Sequence, residues 1–154
     1  MPTHAEQRQL PYTAEQLFAL VADIDKYPEF LPWCVAVRMK KDTETMKEAD
    51  LVIGFKMFRE TFTSRVELDH PRRIDVTYLS GPLKYLNNHW RFFPVEEGCI
   101  IDFYVDFEFK NRLFQRLVGA LFNEAVGRMV KAFEARAHEL YGEGIGAPDE
   151  DVVT

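Results

Sequence analysis

The stretch Cys99–Tyr141 constrains the fold most, because its hydrophobic period changes from two to nearly four. Ile101, Phe103, Val105, Phe107 and Phe109 alternate with Asp102, Tyr104, Asp106 and Glu108. An apolar face opposite a mostly acidic one marks a strand with one side on a core and the other in water. From Asn111 to Tyr141 apolar residues recur at three and four instead. Leu113, Phe114, Leu117, Val118, Leu121, Phe122, Ala125, Met129, Val130, Phe133 and Leu140 form one stripe, and Arg116, Asn123, Lys131, Glu134 and Arg136 mostly fill the rest. At 1.5 Å per residue this helix is roughly 45 Å long. A sheet that covers it must curve strongly. Gly119 and Gly127, eight apart in the helix, cost about 1 kcal/mol each relative to Ala. Tight packing against the sheet, or room for a ligand, is expected to offset that cost.

The upstream segments supply the rest of that sheet. His4–Leu10 reads as a weakly patterned first strand. Thr13 stands at an N-cap position with Gln16 three residues on, which predicts a capping box and a helix over about residues 14–23. A short turn over Asp25–Phe30 follows and stops before Pro32. Strand patterns then occupy Val35–Met39, Leu51–Phe58, Thr61–Leu68, Arg73–Ser80 and about Lys84–Phe93. Short links at Asp69–Arg72 and Glu96–Gly98 suit antiparallel hairpins, not parallel crossovers. The expected class is therefore α+β, a curved antiparallel sheet of about six strands wrapped around a long C-terminal helix, with a concavity between them.

Composition sharpens what such a concavity can hold. The chain has 13 Phe, 6 Tyr and 2 Trp, enough large flat side chains to build an aromatic core or to line a cavity. Net charge is −6, but Glu143, Asp149, Glu150 and Asp151 follow Gly142 with no base among them, which leaves residues 1–142 at −2. One domain over residues 1–142 and an acidic, unstructured tail over residues 143–154 are expected. This balance gives no general attraction for DNA, and leaves a local basic patch, particularly around Lys110, Arg112 and Arg116. Cys34 and Cys99 do not make a disulfide framework. Neither a signal peptide nor a bilayer-spanning run is evident, so a cytoplasmic protein with at most transient membrane association is expected.

Catalytic patterns are missing from the sequence. It contains no G-x-S-x-G, H-E-x-x-H, C-x-x-C or phosphate loop. His4, His70, His89 and His138 sit in four different segments without ligand-like spacing. Asp102 and Asp106 share a strand face about 13 Å apart, too far for a carboxylate pair. The unusual local features are apolar. In Tyr27–Cys34, two prolines stiffen a run of three aromatics and a leucine. That run is either a plug at one end of the core or the rim of an apolar cavity. Ser80–Leu86 is a second apolar loop, with Gly81 and Pro82 shaping its turn. Met57 and Phe58 are expected at the tip of a hairpin or at a sheet bend.

Several of these residues carry a resemblance. Tyr12, Gln16, Leu17, Phe18, Val21 and Asp23 lead into the run Tyr27-Pro28, Phe30-Leu31-Pro32-Trp33-Cys34. Ile53-Gly54-Phe55, Phe62-Thr63-Ser64, Val66, Gly81-Pro82, Leu86, Trp90, Phe107, Phe109 and Asn111 follow in order. Phe122, Met129-Val130, Ala132-Phe133 and Arg136-Ala137 complete the set. Over roughly residues 4–141 the chain resembles the coenzyme Q-binding, START-like family of the polyketide cyclase/dehydrase-like superfamily, which includes bacterial ribosome-association toxins. Leu83, where Phe is frequent, and Asn87-Asn88, where Gly often appears, depart from its pattern.

The resemblance implies a helix-grip fold with an apolar tunnel for a polyprenyl quinone, ubiquinone or a similar lipid, and no catalytic cofactor. Carried onto this chain, Phe30, Leu31, Pro32 and Trp33 border the mouth, with Leu83 and Leu86 nearby. Phe62, Trp90, Phe92, Leu121, Phe122 and Met129 are the expected lining, and Ser64, Asn88 or Lys56 would meet a polar head. A non-enzymatic lipid-binding role in respiratory electron transport is the leading expectation, with peripheral contact with the inner membrane. The resemblance also implies an alternative, binding to the large ribosomal subunit to block subunit joining. A cyclase-like enzyme ranks third, since no acid–base pair is evident.

Overall fold

The computed structural model describes residues 3–55 and 58–144. Lys56, Met57 and the tail from Ile145 lie outside the described residues, and with them the expectations placed there. Seven strands, β1 (Thr3–Leu10), β2 (Cys34–Asp42), β3 (Met46–Phe55), β4 (Phe58–Asp69), β5 (Arg73–Ser80), β6 (Leu83–Val95) and β7 (Gly98–Phe109), form one antiparallel sheet. Its order is β1-β7-β6-β5-β4-β3-β2, so every neighbour except β1 is a hairpin partner. Helices α1 (Ala14–Ala22) and α2 (Arg112–Tyr141) and a 3-10 turn (Ile24–Glu29) complete the fold.

Each element follows from its local chemistry. Thr13 Oγ1 accepts from Gln16 N at 3.0 Å and Gln16 Oε1 accepts from Thr13 N at 3.0 Å, the reciprocal capping box that starts α1. Asn111 caps α2 by accepting from Phe114 N at 3.0 Å. Register shifts at Cys34/Ala36, Met39/Lys41, Thr63/Ser64 and Leu83/Tyr85 mark bulges that bend the sheet. The inner faces of the curved sheet and the apolar faces of α1 and α2 share one core, centred on Leu17, Phe18, Ile74, Phe92, Cys99, Phe103 and Ala137.

Three expectations change. The sheet has seven strands rather than about six, and the N-terminal strand expected over His4–Leu10 is one of them, paired along its whole length with β7 from Thr3↔Asp106 to Leu10↔Cys99. The strand expected over Leu51–Phe58 is β3 and runs from Met46; its first half alternates Glu48 and Asp50 with Lys47 and Ala49, which hides it from a hydrophobicity pattern. Gly119 and Gly127 do not pack closely on anything: a Cβ at either would have no atom within 4 Å. Both sit on the outer face of α2, as do Leu113 (73% exposed) and Leu140 (49%), while the buried stripe is Phe122, Val126, Phe133 and Ala137.

Candidate functional site

Between the sheet, the 3-10 turn and the C-terminal half of α2 lies an apolar cavity of about 270 Å³. Five strands contribute to it by alternation: Leu51 and Ile53, Phe62, Ser64 and Val66, Ile74 and Val76, Leu86, Asn88 and Trp90, Phe103 and Val105. Side chains two apart on a strand share a face, so these residues are one continuous inner surface. The lid comes from Val21, Ile24, Tyr27 and Leu31–Cys34, and α2 adds Met129 and Phe133, one turn apart.

Backbone geometry fixes the rim. Trp33 has a φ of 68°, a left-handed conformation that costs a bulky residue of order 1–3 kcal/mol. Its carbonyl accepts from Gly54 N at 2.8 Å, which ties the rim to β3. Gly81, at φ 141°, lets the β5–β6 turn press on β4, since a Cβ there would meet Phe62 Cβ at 2.7 Å. Aromatic rings form the remaining wall. Phe133 meets Tyr27, Phe30 and Trp90 edge-on with centroids 5.7, 5.3 and 5.3 Å away.

The polar groups of the wall are few. Asn88 donates to Tyr104 O at 2.9 Å and accepts from Trp90 Nε1 at 3.2 Å. The Tyr27 hydroxyl donates to Val21 O. Burial raises the Tyr27 phenol, with Cys34 and Asp23 adding to it, and pushes the Cys34 thiol up to about 11. Cys34 is therefore a neutral thiol at ordinary pH, without the thiolate that nucleophilic chemistry requires. Ser64 is 2% exposed, and its hydroxyl forms no hydrogen bond among the described residues. No Asp, Glu, His, Lys or Arg lines the cavity among the described residues.

Of the residues singled out from the sequence, Leu31, Trp33, Phe62, Ser64, Leu86, Trp90 and Met129 stand in the wall. Phe30 stands behind it, edge-on to Phe133 with the Arg136 guanidinium 5.2 Å above its ring. Leu83 is buried at the start of β6, where its N–H donates to the Tyr78 hydroxyl at 3.0 Å. Phe92 faces α1 and packs on Phe18 at 5.7 Å. Leu121 and Phe122 lie too early in α2 to reach the cavity, and Phe122 packs on Phe107 at 5.4 Å. A helical period gives the face of a residue, not its level along the axis. The strand residues Ile53, Val66, Ile74, Val76, Phe103 and Val105 were not singled out, although each shares the parity of a named neighbour. That parity was the available signal.

A wider groove of about 1070 Å³ opens to solvent between the end of α1 and the β2–β3 and β4–β5 turns. Asp23, Asp42, Glu44, Lys47 and Asp69 line it, so it does not remove an apolar molecule from water. No group of three or more His, Cys, Asp or Glu among the described residues could hold a metal ion. No helix among them is long and apolar enough to cross a membrane.

The chain is 37% identical over 142 residues to the ribosome association toxin RatA of Escherichia coli, a match covering 92% of this chain and 90% of that protein. It is 33% identical over 144 residues to the mitochondrial coenzyme Q-binding protein COQ10 homolog B of Xenopus laevis, covering 90% of this chain and 59% of that one. The solution structure of an 18 kDa protein from Caulobacter crescentus matches with a TM-score of 0.74 at 39% identity, over 92% of this chain and 99% of that one. Residues 10–134 match the model of the polyketide cyclase / dehydrase and lipid transport family, and with its curved seven-stranded sheet and long C-terminal helix the chain belongs to that START-like family.

Proposed function

We propose that this protein binds the ring and first prenyl units of a ubiquinone-like lipid and carries out no chemistry on it, in support of respiratory electron transport. The observation that carries the reading is an apolar cavity that no charged group lines among the described residues, and whose wall holds the Ser64 hydroxyl with no hydrogen-bond partner among them. A quinone carbonyl would accept from that hydroxyl, and Trp33, Phe62, Trp90 and Phe133 would pack around the ring and tail. Each 100 Å² of apolar tail removed from water contributes about 2.5 kcal/mol before ordering costs. The volume is at the lower edge of the roughly 300–1,000 Å³ of ligand pockets, so a longer tail would leave between Leu31–Trp33 and Leu86. The coenzyme Q-binding relative supports this cargo.

Among the described residues the wall has no Asp, Glu, His, Lys or Arg to work as an acid–base pair, which supports a binding role over a cyclase-like one. The toxin relatives favour a second reading, in which the outer surface engages the large ribosomal subunit. Native mass spectrometry with solvent extraction of protein from its own host tests the first reading, alongside titration with a short-chain ubiquinone. Quenching of Trp33 and Trp90 fluorescence should saturate at one quinone per chain. Recovery of no quinone or prenyl lipid, together with no saturable quenching, would refute it. Salt-resistant cosedimentation with ribosomal subunits would then support the second.

A further inference from the structure

The sheet end at which α2 begins has a charge arrangement that helix stability opposes. Lys110 precedes the N-cap, Arg112 is the first helical residue and Arg116 lies one turn later, with no acid in the first turn. From Lys110 through Asn123 the chain has no Asp or Glu, although the protein as a whole carries −6. Cations at a helix N-terminus face the positive end of the dipole, and the usual preference is for Asp or Glu. The side chains of Lys110, Arg112 and Arg116 are exposed and form no ion pair or hydrogen bond among the described residues.

Antiparallel order places the ends of β3, β5 and β7 and the starts of β2, β4 and β6 at this same end of the sheet. Lys110 N donates to Pro82 O at 2.9 Å, which joins the start of α2 to the β5–β6 turn. Three large apolar side chains are exposed there, Leu113 at 73%, Leu79 at 41% and Val35 at 40%. Trp33, Phe62 and Leu86 bring the cavity wall towards the same end.

We propose that this end docks on an anionic lipid bilayer, with Lys110, Arg112 and Arg116 against the headgroups and Leu113 inserted between them. Unpaired bases around an exposed leucine match an interface that is negative outside and apolar beneath. A nucleic acid backbone would reward the bases but not the leucine, and tight binding to it draws on more phosphate contacts than three bases supply. The proposal deepens the lipid reading by naming where cargo would be exchanged, but the docking itself does not depend on what the cavity holds.

Flotation of the full chain with vesicles tests it. Phosphatidylcholine vesicles containing phosphatidylglycerol should carry the protein, pure phosphatidylcholine vesicles should not, and added salt should release it. Each base near such a surface strengthens binding about fivefold, so Arg112→Gln with Arg116→Gln should lower partitioning roughly 30-fold. The thermal midpoint of that variant should stay level or rise, because charges opposing the dipole are removed, and its short-chain quinone titration should match the parent's. Equal flotation with both vesicle types, or undiminished flotation of the double variant, would overturn the proposal. So would a parent that ignores vesicles but loses ribosome cosedimentation on the same substitutions.

Discussion

Ser64→Ala moves two measurements in opposite directions. The Ser64 side chain is buried on the inner face of β4, and its hydroxyl has no partner among the described residues. Asn88, Trp90 and Tyr27, which also line the wall, already have partners: Asn88 bonds to Tyr104 and Trp90, and Tyr27 to Val21. A water in the cavity would find too few partners to replace bulk solvent. A hydroxyl that faces a dry apolar cavity without a partner costs up to about 1–3 kcal/mol, and its loss leaves a void no larger than one oxygen. The ligand-free variant should therefore gain about 1 kcal/mol, which in a chain of this size raises the melting temperature by roughly 2–4 °C. The same change removes the proposed donor to a quinone carbonyl, worth about 0.5–1.5 kcal/mol, so short-chain ubiquinone should bind roughly 2- to 13-fold more weakly. Scanning calorimetry of the free protein and tryptophan quenching titrations read the two effects separately. A lower melting temperature would show that the hydroxyl is satisfied in the free protein. Unchanged affinity in a variant of raised stability would show that the hydroxyl does not meet the ligand.

Two further outcomes follow from features away from the cavity. Gly119→Ala with Gly127→Ala adds methyl groups in open space on an exposed helix face and should stabilise the protein by about 2 kcal/mol, or roughly 4–8 °C in calorimetry. No gain would show that α2 is not continuous through those positions. Asp23, at the end of α1, is raised to about 6 by burial and by the neighbouring Asp25 carboxyl, with Lys47 opposing. A folded-state pKa above the unfolded value of 3.8 favours folding below that value, and the contribution disappears as pH rises through 6. The stability of Asp23→Asn relative to the parent should thus improve between about pH 4.5 and about pH 7.5 in paired denaturant titrations. A pH-independent difference would refute the raised carboxyl.

The fold was legible where local and long-range demands coincide. The Cys99–Phe109 alternation and the following helical period gave β7 and α2, and the Thr13–Gln16 pair gave the start of α1. The first half of β3 was not legible, because its charges pair across strands: Glu48 with Arg65 at 2.9 Å and Asp50 with Lys40 at 3.3 Å. Stability there comes from neighbours distant in sequence, which a hydrophobic period does not register. The site divides in the same way. Strand parity, once anchored by Phe62 or Trp90, was sufficient for the sheet wall. The level at which α2 crosses that wall depends on tertiary docking, so Leu121 and Phe122 were expected in the cavity beside Met129, where Phe133 stands instead. The glycines of α2 show the same limit, since their stripe was visible but its outward direction was not.

The two ends of the fold are fastened to each other. The Tyr12 hydroxyl donates to Gly142 O at 2.8 Å, the Tyr141 hydroxyl donates to Gln16 O at 3.0 Å, and β1 lies along β7. During synthesis, the segments made first wait for partners made last. Until the 30 residues of α2 have emerged, the nascent sheet is an open bowl, with β1 already able to pair with β7 but Trp90 and Phe103 uncovered. Cargo and holding chaperones would meet the same bare surface in that interval. The protein acquires a closed interior only when its last helix draws the first one into place.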